Sequence, residues 1–322
     1  MRTTYLSLMA AAATATVSFG AVAQTTWNMA TPYPEAEFHT QNIQEFVADV
    51  NKLSEGELNI TVHSGQALFK HPEIPRAVRT GQVEIGETLM ANLSNQNPIF
   101  QVDAIPFLVN GYESAKKLYQ GQRPFVEKYL QDQGMRLIYA VPWPGQGFYT
   151  KGEMNTIADF EGVKFRTYNS TTEKMASLMK AVPTTVEAVE IPQAFTTGIV
   201  DAMVTSAATG VRTEAWTFSN YYYDTQAWMP KNMIYVNESA FQRLSPKAQQ
   251  AIIEAGKAAE TRGWEMSEKV FTETTDTLKE KMQYKKTNAE VTKALAQIGD
   301  VMSVDWAEAV GPDAEKILEP LR

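Results

Sequence analysis

Apolar positions along the chain follow two alternating rhythms. Leu58, Ile60 and Val62 alternate with Asn59, Thr61 and His63, the period-two pattern of a strand with one buried face. Just upstream, Phe38, Ile43, Phe46, Val47, Val50 and Leu53 recur every three or four residues, which marks the apolar stripe of a helix. Gly56 separates the two. Before them, Thr26 to Ala30 reads as a first strand and Thr31-Pro-Tyr-Pro34 as the turn after it. After them come a short helix from Pro72 to Thr80, a strand opening at Val83 and Ile85, and Ile105-Pro-Phe-Leu108, which closes a first αβ unit. The rhythm then restarts with a long amphipathic helix from Tyr112 to Gly134 and a strand from Met135 to Val141. Pro142-Trp-Pro-Gly-Gln-Gly147 is rich in breakers and reads as a crossover. A second αβ unit holds a strand from Gly162 to Arg166, a helix from Thr171 to Met179, and the segment Ile191 to Val204. Strands separated by helices predict an α/β fold with a mostly parallel sheet and ligands at the carboxyl ends of its strands. Ser245-Pro246 is an N-cap followed by proline at the first helical position. Helical periodicity runs from there to about Met282, roughly 55 Å at 1.5 Å per residue. That is too long for one small domain, so this helix is expected to run along two and brace them.

Composition narrows the setting. Arg2 precedes an apolar, alanine-rich run from Leu6 to Ala21, and Ala21-Val-Ala23 forms a small-residue cleavage site. This is the layout of a secretory signal peptide over residues 1–23, with the mature chain starting near Gln24 in the periplasm. No later stretch approaches the ~20 apolar residues of a membrane span. The chain has no cysteine, which removes disulfides, thiolate catalysis, cysteine-bound zinc and an N-terminal lipid anchor together. Cleavage takes the net charge from −8 to −9, 28 basic against 37 acidic residues. With no basic run, nucleic acid is not expected as a partner.

Candidate chemistry centres on one strand. In Asp159-Phe-Glu-Gly-Val-Lys-Phe-Arg-Thr-Tyr-Asn169, Val163 and Phe165 point to one face, and Lys164 and Arg166 to the other. Arg166 offers a planar, permanently charged fork that matches a carboxylate bidentately, and the Tyr168 ring follows on its face. Enzyme signatures are missing: there is no H-E-x-x-H, G-x-S-x-G or P-loop. His39, His63 and His71 all fall in the first quarter of the mature chain and are expected as solvated or hydrogen-bonded surface groups. No metal, cofactor or catalytic residue is expected.

Seven segments, in order over nearly the whole mature chain, resemble the solute-binding proteins of tripartite ATP-independent periplasmic (TRAP) transporters, the DctP-like family. They are Glu55-Gly-Glu-Leu-Asn-Ile60, Ser64-Gly-Gln-Ala-Leu68, Arg79-Thr-Gly-Gln-Val-Glu-Ile85, Ile105-Pro-Phe-Leu108, Glu161-Gly-Val-Lys-Phe-Arg166, Gln193-Ala-Phe-Thr-Thr-Gly-Ile-Val-Asp-Ala202 and Leu244-Ser-Pro-Lys-Ala-Gln249. The resemblance implies an α/β fold of the periplasmic binding protein type II kind, two αβ lobes with a ligand cleft between them and a long helix spanning both. The lobes are expected at 24–143 with 232–271, and 144–231 with 272–322. It also implies integral membrane subunits as partners and import driven by an ion gradient.

Carried over residue by residue, Arg166 matches the family arginine that clamps a ligand carboxylate. The family's usual polar contact after Val200-Asp-Ala202 is an asparagine; here Thr205 or Ser206 must substitute with a hydroxyl. Many acidic-sugar and dicarboxylate binders carry a second arginine about 20 residues before the first, where this chain has Gln146 and Gly147. A second ligand charge would lack a partner, and an unpaired buried charge costs several kcal/mol. A monocarboxylate is therefore favoured. Trp143, Phe148, Tyr149, Tyr168 and Trp228 supply aromatic surface of the kind that lines closed clefts, with Trp143, Tyr168 and Trp228 the stronger candidates. Asn169 beside them, and Tyr33, Glu35 and Asn92 in the first lobe, complete the candidate set. Tyr221, Tyr222 and Tyr223 are consecutive and cannot all face one cleft. A binding protein for an ATP-driven importer or a sensor kinase, and an exported αβ enzyme, are the other readings.

Overall fold

A computed structural model describes residues 24–322, so the expected signal peptide lies outside the described residues. Among the described residues the strands are β1 (Thr25–Ala30), β2 (Leu58–His63), β3 (Ile85–Leu89), β4 (Met135–Pro142), β5 (Gln146–Thr150) and β6 (Lys164–Thr167). They continue with β7 (Val182–Thr185), β8 (Ala202–Ser206), β9 (Tyr221–Asp224), β10 (Lys231–Asn237) and β11 (Gln283–Lys286). The helices are α1 (Phe38–Leu53), α2 (Ile74–Arg79), α3 (Gly111–Asp132), α4 (Ser170–Leu178) and α5 (Ile191–Thr196). After them come α6 (Ala207–Arg212), α7 (Glu238–Gln242), α8 (Pro246–Lys281), α9 (Ala289–Val310) and α10 (Asp313–Leu318).

The strands form two mixed sheets, ordered β2-β1-β3-β10-β4 and β11-β9-β5-β8-β6-β7. The parallel expectation holds for β1 with β2 and β3, for β6 with β7 and β8, and for β9 with β11. One strand in each sheet runs the other way, β10 against β3 and β4, and β5 against β8 and β9. The reason is connectivity: β5 carries the chain into the second sheet and β10 brings it back.

The two passages lie side by side and bond to each other. Trp143 N–H donates to the Pro230 carbonyl at 2.8 Å, Gln146 N–H to Trp228 at 3.0 Å, and Ala227 N–H to Gln146 at 2.9 Å. Phe107 N–H donates to the Ala227 carbonyl at 2.7 Å and props this paired crossing from the side. Gly147 is required where the chain enters the second sheet, because a Cβ there would lie 2.6 Å from both the Tyr222 ring and the Tyr223 carbonyl.

The expected brace is a 36-residue helix, α8. Ser245 caps it, its hydroxyl accepting from Ala248 N–H at 3.1 Å, with Pro246 at the first position. It packs on α1 and β4 of the first sheet and on α6 and β11 of the second. Gly263 lets it approach closely, since any side chain there would collide with Val141 and Asn42. The C-terminal helices touch both halves. Gly121 of α3 packs on the Ile317 carbonyl in α10, and Trp306 of α9 donates to the Pro98 carbonyl at 2.9 Å. Lys174 of α4 pairs with Asp305 of α9.

Candidate ligand-binding site

In β6, Lys164 is exposed while Phe165, Arg166 and Thr167 are buried. Phe165 packs between the sheet and Phe148 and Phe160, with ring centroids 5.9 and 6.1 Å away. The polar face of the strand is thus split. Lys164 opens the strand at the surface, and Arg166 at its carboxyl end lies under the facing sheet, only 3% exposed. Its Nε donates to the Val186 carbonyl at 2.9 Å, and its guanidinium lies 4.9 Å from the Tyr168 ring centroid. Among the described residues no protein group accepts from the two terminal amino groups, and no carboxylate lies within 4.0 Å of the guanidinium. Burial lowers the Arg166 pKa to about 10, because desolvation disfavours the charged form. It remains a cation at neutral pH.

Arg166 opens into a small cavity lined from both sheets. Of the candidates, Tyr33, Asn92, Trp143, Gln146, Arg166, Tyr168, Thr205 and Ser206 line it together. Trp228 stands one layer back, 1% exposed, its indole N–H donating to the Tyr168 hydroxyl at 3.2 Å. Asn169 lines an adjoining outer chamber and caps α4, accepting from Thr172 N–H at 2.9 Å. Glu35 is exposed and is not brought to the cavity. Two positions later Glu37 is buried and pairs with Arg212 at 2.8 Å. Phe148 and Tyr149 are core residues. Tyr222 packs on Tyr149 at 4.7 Å, while Tyr221 and Tyr223 stack on the other face.

The first-sheet wall is held by a buried polar chain. Trp143 stands edge-on to Tyr33 with centroids 5.1 Å apart, and its indole N–H donates to Asn232 Oδ1 at 2.9 Å. Asn232 Nδ2 donates to Glu87 at 2.7 Å, and the Thr31 hydroxyl also donates to Glu87. Burial pushes the Glu87 carboxyl up to about 7. The expectation of surface histidines fails at two of three positions. His39 is 3% exposed behind Trp143, and burial holds its pKa well below the ordinary value. The α1 stripe is wider than its aliphatic residues suggest, because Phe38, His39 and Thr40 are all buried at its first turn. His71, 5% exposed, lines the cavity itself. His63 fits the expectation, its ring bonded to exposed Asn28.

Sequence reasoning misses His71, Glu187 and Thr209, which also line the cavity. Thr209 follows from the cap at Ser206, whose hydroxyl accepts its N–H at 3.1 Å. His71 and Glu187 belong to opposite halves and come within 3.6 Å; no local pattern announces either. They join other contacts across the cleft, the Glu37–Arg212 ion pair and the Ser94–Ser170 hydroxyl bond at 2.9 Å.

Comparison with known proteins fits this geometry. Residues 29–309 match the model of the DctP family, bacterial extracellular solute-binding protein, family 7. The chain belongs to this family. Its receptors bind solutes and are not enzymes. The chain is 42% identical to DctP7 of Bordetella pertussis, an extracytoplasmic solute receptor binding pyroglutamic acid, with a TM-score of 0.91 over 92% of this chain and 99% of that one. It is 40% identical to DctP6 of the same organism, likewise binding pyroglutamic acid, with a TM-score of 0.90 over 92% and 99% of the two chains. A marine metagenome TRAP solute-binding protein specific for pyroglutamate shares 34% identity, with a TM-score of 0.90 over 92% and 98%. The chain is therefore a TRAP solute receptor of an extracytoplasmic family.

Proposed function

We propose that this receptor captures a compact monocarboxylate, with pyroglutamate the first candidate, through an ion pair between its carboxylate and Arg166. The observation that carries the reading is a cation buried in a cavity with, among the described residues, no carboxylate within 4.0 Å of it. Such a charge costs several kcal/mol until an anion joins it. Arg166 is the sole Arg or Lys among the cavity-lining residues, which supports one carboxylate rather than two. The three relatives that bind pyroglutamate support the size and class.

Capture then proceeds by closure. Lobes 24–143 with 232–271 and 144–231 with 272–322 swing on the paired crossing, while the C-terminal helices and α8 tie them together. Closing around the ion pair lowers the local dielectric and strengthens it. The closed form is the one presented to the membrane subunits, after export directed by residues 1–23. Calorimetric titration of the mature protein with pyroglutamate tests the reading. Wild type is expected to bind, and Arg166→Ala to lose binding while keeping its circular dichroism. Unchanged affinity in that variant refutes the ion pair. Conversely, an Arg166→Lys variant that retains full affinity would show that charge suffices without the fork.

A further inference from the structure

The cavity has a second ionic wall. Glu187 lies two residues past β7, and the carbonyl of the residue before it, Val186, fixes Arg166 through Nε at 2.9 Å. One peptide unit thus sets both groups. Both line the same cavity, yet they are not within 4.0 Å of each other. Across the cleft, Leu89 N–H donates to His71 Nε2 at 3.2 Å. That nitrogen must therefore carry a lone pair, which assigns the proton of the neutral ring to Nδ1. Nδ1 faces Glu187 Oε2 at 3.6 Å. Burial raises the Glu187 pKa, but His71 and Arg166 outweigh it and hold the carboxyl below its usual range. The carboxylate stays ionised. Among the described residues no hydrogen-bond donor comes within 3.5 Å of its side chain, His71 Nδ1 being 3.6 Å away, so it presents acceptor capacity to the cavity.

We infer that Glu187, steadied by His71, is the specificity-determining residue of this receptor. It accepts an N–H borne on the carbon that carries the ligand's carboxylate. The inference rests on the reading of Arg166 as the carboxylate clamp. A solute between a fixed cation and a fixed anion must itself be anionic on one edge and a donor on the next. An α-N–H carboxylic acid has that arrangement, whether the nitrogen is a lactam or an ammonium. A lactone of the same shape has a ring oxygen there, and its lone pairs would face the carboxylate. One hydrogen bond to a charged group separates such a pair by about 10- to 100-fold in affinity.

The test is the ratio of affinities for pyroglutamate and its lactone counterpart, 5-oxotetrahydrofuran-2-carboxylate, by calorimetric titration. Wild type is expected to favour the lactam by about 10- to 100-fold. Glu187→Gln and Glu187→Ala are expected to bring the ratio to within about threefold, whatever happens to either affinity alone. Losing a closing contact weakens both ligands together and leaves the ratio in place, so the ratio separates recognition from structure. Equal affinity for both in wild type overturns the inference, as does a ratio preserved in the two variants. Neither result touches the Arg166 reading, which fails separately if Arg166→Ala binds both as wild type does. Proline serves as the ammonium arm. Binding of proline and not pyroglutamate keeps the role of Glu187 but changes the nitrogen it recognises. Wild type binding neither overturns both readings.

Discussion

Two buried cations in this molecule sit under opposite conditions. Lys231, at the start of β10, is fully buried with its Nζ 3.1 Å from an equally buried Asp103. Arg166 is almost as deeply buried, and among the described residues no carboxylate pairs with it. Taking either charge out of water costs several kcal/mol. At Lys231 the chain supplies the counter-ion itself. At Arg166 no carboxylate comes that close among the described residues, and Glu187 acts on it only from farther across the cavity. Glu87 shows a third solution, since burial raises its pKa to about 7 and the group can neutralise itself by keeping its proton. A guanidinium cannot do that near neutral pH. Burial alone therefore does not set the three groups apart; the distance to an opposite charge does.

Asp103→Asn or Lys231→Met is expected to cost about 3–5 kcal/mol in urea denaturation, because each orphans a buried charge. The joint replacement Asp103→Leu with Lys231→Met should recover most of that. If the single variants lose less than about 1 kcal/mol, the pair is not the closed account proposed for it. On the other side of the comparison, Arg166→Ala should weaken pyroglutamate by about 2–5 kcal/mol. The stability of the unliganded protein should stay level or rise, since the variant removes a buried cation that has no carboxylate within 4.0 Å among the described residues. A large loss of unliganded stability would place Arg166 with Lys231 as a structural group.

Glu87 sharpens the contrast through pH. Its pKa is raised from 4.5 to about 7 on folding, so as pH rises the unfolded chain releases this proton first. Stability contributed by this group falls across that window, by up to about 3 kcal/mol, and is fully lost above it. Denaturation midpoints of wild type and Glu87→Gln at pH 5 and pH 8 should converge at the acid end and separate at the alkaline end, the variant being the more stable. Parallel curves would mean that Glu87 ionises normally. The smallest effect expected is among ligands. Glutarate should bind about 30-fold or more weaker than pyroglutamate, since its second carboxylate finds no cation and faces Glu187. Equal binding would reveal a second cation reaching the cavity.

Periodicity carries most of the fold. The stripe of α1, the alternation of β2, the cap of α8 and the breaker-rich crossing each follow from spacing and turn chemistry, which act over a few residues. Arg166 is legible as well, since a strand ending in a lone arginine beside a tyrosine is a local pattern. Thr205 and Ser206, which close β8, come from the family resemblance and not from a local pattern, and Ser206 caps α6. The misses share one cause. Glu35 and Glu37 differ by two positions, and only the phase of the first turn of α1 decides which is buried. Trp228 and Tyr168 both point inward, and the indole N–H that reaches the tyrosine hydroxyl puts the tryptophan one layer back. His71 and Glu187 are 116 positions apart in the chain and acquire meaning only when the halves face each other.

By itself, then, the sequence determined the elements, their alternation, the crossing between the halves and the cation at the end of β6, because hydrophobic period, caps and breakers are local physics. The tertiary structure alone decided that Arg166 is buried with no carboxylate within 4.0 Å among the described residues, that His71 lies opposite Glu187, and that Lys231 meets Asp103. Counter-ions, burial and cavity walls are set by residues distant in sequence, and no local pattern encodes whether two distant charges will meet.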